Sequence, residues 1–160
     1  MTIIGCTGHQ TLTLATQAAI ADAFSSHLER FADDNLEGVC SLAIGADQIF
    51  ARAVLAAGGR LHAIVPCADY ASTFTTDEAR SSYAELLASC ASSEELPYPS
   101  PTEEAFMAAG RSVVDRSDLL LAVWDGAPAA GLGGTADVIR YAAEHSKMVE
   151  IVWPAGARRT

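Results

Sequence analysis

"DLLLAVWDGAPAAGLGGTADVIRYA", Asp118 to Ala142, decides the fold. Leu119 to Val123 is an unbroken apolar run with no two-residue alternation, the pattern of a strand buried on both faces. Gly126, Gly131, Gly133 and Gly134 then loosen the chain, and from Thr135 to about His145 the pattern turns helical. A buried strand, a glycine-rich loop and a helix in that order predict a parallel sheet with something held close to the loop backbone.

The same texture recurs outward from this stretch. Four more apolar, β-rich runs are "TIIG" at Thr2, "VCSLAI" at Val39, "LHAIVP" at Leu61 and "MVEIVWP" at Met148. "ELPYP" at Glu95 predicts a sixth strand at an edge, because its prolines exclude it from a central ladder. Between the runs lie helical patterns. Ile20, Phe24, Leu28 and Phe31 form one apolar stripe. Ala46 to Ala57 stops at Gly58-Gly59, Asp77 to Cys90 follows, and Thr102 to Arg116 opens on a capping Thr and two acids. Strand and helix alternating along residues 1–160, with no repeat, linker or low-complexity segment, predict a single α/β domain: a three-layer, Rossmann-like, doubly wound and mainly parallel sheet of five to six strands with helices on both faces.

Composition narrows the function classes. Twenty acidic residues against ten Lys and Arg give a formal net charge of -10, which predicts no nucleic-acid partner and no membrane partner. The adjacent Arg158 and Arg159 read as a solvated tail. Cys6, Cys40, Cys67 and Cys90 form no C-x-x-C pair and have no His at ligand spacing, which predicts free thiols, a cytoplasmic protein, no metal and no cofactor. A homo-oligomer is left open.

In an open parallel sheet the ligand sits beyond the C-terminal strand ends, where strand order reverses. "GCTGHQ" (Gly5 to Gln10), "GAD" (Gly45 to Asp47) and "DGAPAAGLGGT" (Asp125 to Thr135) all follow predicted strands, and each leads to a helix N-terminus, whose free N–H groups favour an anion. None matches a dinucleotide fingerprint or a P-loop, and each alone reads better as a tight turn needing positive φ. Together they predict a nucleotide-type small molecule bound through Gly5, Thr7, Gly8, Gly45, Asp47, Asp125, Gly131, Gly133, Gly134 and Thr135, with an anion against the N–H groups of Gly133, Gly134 and Thr135. Thr135 reads both as a phosphate contact and as a helix cap, His9 as a surface loop residue, and Tyr70 and Phe74 as core packing with base stacking as the rival.

"SLAIGADQIFARAVLAAGGRLHAIVPCADY", Ser41 to Tyr70, and "AAGRSVVDRSDLLLAVWDG" leading into "GLGGTADVIRYA" resemble the Rossmann-like superfamily of DprA/Smf, the lonely-guy phosphoribohydrolases and the SLOG sensor domains. That resemblance implies a nucleotide-type ligand. For the phosphoribohydrolases it implies a catalytic Glu where this chain has Val138 and a catalytic Arg where it has Ala109. Asp137 and Arg111 are the nearest charged substitutes and are the candidate catalytic pair. Two functions follow: a sensor or binding module that holds its ligand unchanged, or an N-glycosidic hydrolase or transferase acting on a nucleoside monophosphate through Asp137. A purely structural, partner-binding domain is a third.

Overall fold

The structure, a computed structural model, describes residues 1–32, 35–129 and 131–160; Asp33, Asp34 and Ala130, the last inside the glycine-rich loop quoted above, lie outside it. Among the described residues the strands are β1 Thr2–Gly8, β2 Leu36–Cys40, β3 Arg60–Val65, β4 Ser92–Glu95, β5 Leu119–Val123 and β6 Met148–Ile151. The helices are α1 Leu14–Glu29, α2 Ala46–Ala56, α3 Asp77–Ala88, α4 Glu103–Arg116 and α5 Thr135–Glu144, with a 3₁₀ turn at Tyr70–Thr73.

The strands form one sheet in the order β4-β3-β2-β1-β5-β6, and every neighbouring pair is parallel. This is the α/β Rossmann-like architecture expected from the five apolar runs. Each parallel crossover requires a helix, and the helices sort onto two faces by their apolar stripes. Ile20, Phe24 and Leu28 of α1, Phe50 and Val54 of α2, and Tyr83 and Leu86 of α3 pack in one core layer. Met107, Ala109 and Val113 of α4 and Val138 and Ala142 of α5 fill the other. All five residues of β5 are buried, and each fully buried leucine there contributes roughly 1.5–3 kcal/mol of burial.

Local rules set the helix starts. Thr13, Thr76 and Thr102 each accept a backbone N–H three residues ahead, from Thr16, Ala79 and Ala105. α2 and α5 follow Gly45 and Gly134, which make no side-chain cap. At α2 the N–H groups of Ala46 and Gln48 donate to the carbonyls of His9 and Ala43, so the free donors expected after "GAD" are taken up, whereas no described residue takes up the first N–H groups of α5. Thr135 is therefore the first helical residue rather than the cap.

Four boundaries differ from the sequence reading. β1 runs on to Gly8, with Gly5 to Gly8 paired to β5, so Gly5, Thr7 and Gly8 of "GCTGHQ" are strand residues and not a loop after the strand. The edge strand is Ser92–Glu95, every residue of it exposed, and meets the expected "ELPYP" only at Glu95. It is held by polar rather than apolar contacts: His62 lies 2.5 Å from Glu37 Oε1 and 2.6 Å from Ser92 Oγ, across three neighbouring strands. β2 begins at Leu36 and ends at Cys40, so most of "VCSLAI" is loop. Phe31 falls in the turn after α1 but still packs on the same core.

Candidate ligand-binding crevice

Strand order reverses between β1 and β5, where Gly5 pairs Leu120 and Thr7 pairs Ala122. The loops leaving these two strands must diverge, α1 to one face and α5 to the other, and a crevice of about 430 Å³ opens between them. Thr7 to Gln10 line one side and Ala127 to Ala129 with Gly131 to Ala136 the other. Ser41, Ala43 and Asp47 close the end toward β2, and Glu103, Phe106, Ala109 and Gly110 of α4 with Val138 of α5 complete the wall.

Of the residues expected to bind, Thr7, Gly8, Asp47, Gly131, Gly133, Gly134 and Thr135 line this crevice; Gly5, Gly45 and Asp125 do not. Gly5 serves packing, since a Cβ there would meet Ser117 Oγ at 2.0 Å. Gly45 has φ +87°, and a Cβ there would meet the carbonyl oxygen of Gln10 at 2.4 Å, so its role is the close approach of two loops. Asp125 forms a cluster with His9 and Arg159, which do line the crevice.

The glycine-rich loop is anchored from below. Gly133, at φ +88°, lies against the backbone of α4, where a Cβ would stand 3.0 Å from the Met107 nitrogen. Its N–H donates to Asp137 Oδ2 at 3.2 Å, so that donor is not open to an anion as the sequence reading expected. The N–H groups of Gly134, Thr135 and Ala136, at the helix start, are taken up by no described residue.

Neither candidate catalytic residue reaches the crevice. Asp137 is engaged with Gly133 and, at 3.3 Å, with Arg140, while the Arg111 guanidinium lies over the Tyr141 ring, 5.6 Å from its centroid. One helical position is about 100° of rotation, and it is Val138 and Ala109 that face the cavity. Val138 and Ala109, the two positions that the resemblance aligned with a catalytic Glu and Arg, thus line the crevice and are apolar.

Three other side chains shape the site. Asp47 Oδ2 accepts the N–H groups of Ser41 (3.2 Å) and Ala43 (3.3 Å), holding the loop in which Leu42 takes φ +57°. Burial raises its pKa to about 7 against those two hydrogen bonds. His9 is 9% exposed, not a surface residue: its Nε2 lies 3.0 Å from both the backbone nitrogen and Oδ1 of Asp125, and its ring meets Trp153 edge-on. Burial, then the nearby Arg159, lowers the His9 pKa, although Asp125 opposes this. Cys6 and Cys40 lie beneath Asp47, and burial pushes both thiols well up, which removes them as nucleophiles.

Sequence reasoning missed Glu103 and Arg159. Glu103 had read only as a helix-start acid, yet a Cβ on Gly131 would stand 2.5 Å from its Oε1. Arg159, expected only as a solvated tail, is exposed but also lines the crevice, 3.8 Å from Asp125 Oδ2. Tyr70 reaches the crevice while Phe74 stacks on Tyr83 within the core, so the two expected alike part company.

No family model and no curated protein matches the chain. Solved structures do. DNA processing protein A (DprA) from Streptococcus pneumoniae superposes with a TM-score of 0.71 at 16% identity, over 98% of this chain and 52% of that one. DprA from Helicobacter pylori gives 0.69 at 16% identity, over 97% of this chain and 67% of that one. The chain has the DprA fold. It spans about half the length of the Streptococcus protein. The molybdenum cofactor binding protein of Rippkaea orientalis shares the fold at a TM-score of 0.59 and 16% identity, over 94% of this chain and 75% of that one.

The resemblance drawn from the two glycine-containing segments therefore stands at the level of fold. The exclusion of nucleic acid does not. The Helicobacter DprA structure is described by its single-stranded DNA binding mode, and an acidic sum over a whole surface says nothing of a local groove. No helix among the described residues is long and apolar enough to cross a membrane.

Proposed function

We propose that the chain binds a phosphate-bearing small molecule of nucleotide type in the crevice between β1 and β5, and holds it without cleaving it. The observation that carries this reading is the pairing of the Gly134, Thr135 and Ala136 N–H groups, which no described residue takes up, with two apolar side chains, Val138 and Ala109, in the same cavity. The donors suit a phosphate. Val138 and Ala109 supply no charge to a reacting centre, where one positioned charged or hydrogen-bonding group is typically worth about a hundredfold to a thousandfold in rate. A volume of about 430 Å³ lies in the usual range for small-ligand sites.

Isothermal titration with nucleosides and their mono-, di- and triphosphates tests this. Phosphorylated members are expected to bind, and free base is not expected to accumulate on incubation, as followed by chromatography. A panel with no binder would overturn the site. Steady base release that survives Asp137→Asn but is lost in Glu103→Gln would replace the binding reading with an enzyme built on Glu103.

A further inference from the structure

We propose that Arg159 recognises the anionic group of the crevice ligand, and that Asp125 holds the guanidinium at the crevice mouth until the ligand's anion takes its place. This rests on the reading of the crevice as the site of a phosphate-bearing molecule. Among the described residues Arg159 is the one Lys or Arg lining the cavity; the other charged groups there are the carboxyls of Asp47 and Glu103. Without Arg159 the crevice of this acidic protein would repel the ligand that its helix start is built to accept.

The position of Arg159 is constructed. After β6 the chain turns at Pro154 to Ala157, where the Ala157 N–H donates to the Pro154 carbonyl. Arg158 then clips onto the start of α1: its N–H donates to Thr16 Oγ1 at 2.7 Å and its carbonyl accepts the Thr13 N–H at 3.1 Å. Two backbone hydrogen bonds immediately before Arg159 fix where its side chain begins. Its present partner is loosely held. The 3.8 Å separation from Asp125 Oδ2 is too long for a hydrogen bond, and Asp125 already accepts the Ala127 N–H at 2.9 Å and contacts His9. A half-exposed pair of this kind contributes little, whereas a guanidinium on a phosphate makes two parallel charge-assisted hydrogen bonds.

The test is titration of the whole chain with adenosine 5′-monophosphate, adenosine and inorganic phosphate. Arg159→Gln is expected to weaken binding of the monophosphate and of phosphate about tenfold or more while leaving adenosine affinity and the melting temperature unchanged, as expected for loss of a charge-assisted contact made only by the phosphate. Arg159→Lys recovers part of the loss. Asp125→Asn strengthens monophosphate binding, and the double variant matches Arg159→Gln alone. Unchanged monophosphate affinity in Arg159→Gln, or an equal loss for adenosine, overturns the assignment of Arg159 and leaves the crevice reading in place. A wild-type chain that binds none of the three probes overturns both.

Discussion

His9 Nε2 stands 3.0 Å from the backbone nitrogen of Asp125 and 3.0 Å from its Oδ1, and it can serve only one of them in each protonation state. As a neutral ring it accepts the N–H; as a cation it must turn that bond into one to the carboxylate. The folded state favours the neutral form, because burial and Arg159 lower the pKa. The unfolded chain therefore takes up the proton first, and this contribution to stability is lost as pH falls below about 6.5 toward the lower folded value. NMR titration of the His9 ring is expected to give a midpoint below the ordinary histidine value. Arg159→Gln should move it upward; an unmoved midpoint would mean that the two charges do not communicate.

Asp47 works in the opposite direction. Its pKa of about 7 in the fold exceeds the ordinary 3.8, so between those values the folded protein keeps a proton that the unfolded chain releases. Stability is present below about pH 4 and declines as pH rises toward 7. Asp47→Asn keeps an oxygen for the Ser41 and Ala43 N–H groups and removes the ionisation. Its melting temperature should exceed that of the wild type by a margin growing from pH 4 to pH 8, at about 1.4 kcal/mol for each unit of pKa difference. A constant margin would show that Asp47 is ionised throughout.

Gly133 is the loop position where a side chain is least tolerable, since φ is +88° and the Met107 nitrogen lies 3.0 Å from where a Cβ would stand. Gly133→Ala is expected to cost about 1–3 kcal/mol, read by chemical denaturation, and to weaken nucleotide binding because the donors of Thr135 and Ala136 shift with the loop. Gly134 has an ordinary backbone, and a Cβ there meets the Ala129 methyl at 3.0 Å and the Gly131 carbonyl oxygen at 3.7 Å. Gly134→Ala should be the milder variant in both measurements.

Glu103 places an exposed carboxylate at the crevice beside Gly131. Its charge opposes an incoming phosphate, so Glu103→Gln should raise the affinity for nucleoside monophosphates at low salt. The gain should fade as ionic strength rises past about 0.1 M, where the screening length shrinks to about 10 Å. A gain independent of salt would point to shape rather than charge.

The fold was legible where burial constrains sequence and obscure where it does not. Leu119 to Val123 must be apolar on both faces of a central strand, and so announces itself. Ser92–Glu95 lies at an edge with every side chain in solvent, so nothing in "SSEE" distinguishes strand from loop. Leu36 to Gly38 escaped notice because Gly38 is chosen for Phe50 and Val54, which would crowd any side chain, and not for strand propensity. The glycine-rich loop after β5 could be located because it follows a buried strand, whereas "GCTGHQ" was read as a loop although Gly5 to Gly8 continue β1; helical phase decides which side chain enters. Asp137 and Val138 are neighbours in sequence and only the second lines the cavity. Arg159 was out of reach of any local rule, since its place depends on Thr13 and Thr16 at the other end of the chain.

The register between β1 and β5 is fastened by Asp118, whose N–H donates to the Ile3 carbonyl and whose Oδ2 accepts the Ile3 N–H, both at 2.8 Å. These two strands are separated by most of the chain, and closing so long a loop is among the slower steps available to a folding domain. The crevice therefore does not exist on any partly folded piece that stops short of β5, however much sheet it has gathered. Ligand binding is then coupled to the whole folding equilibrium rather than to a local loop. A molecule held there would slow hydrogen exchange at the most protected amides of Ile4 and Leu121 as much as at the loops it touches, by mass action on the global unfolding step.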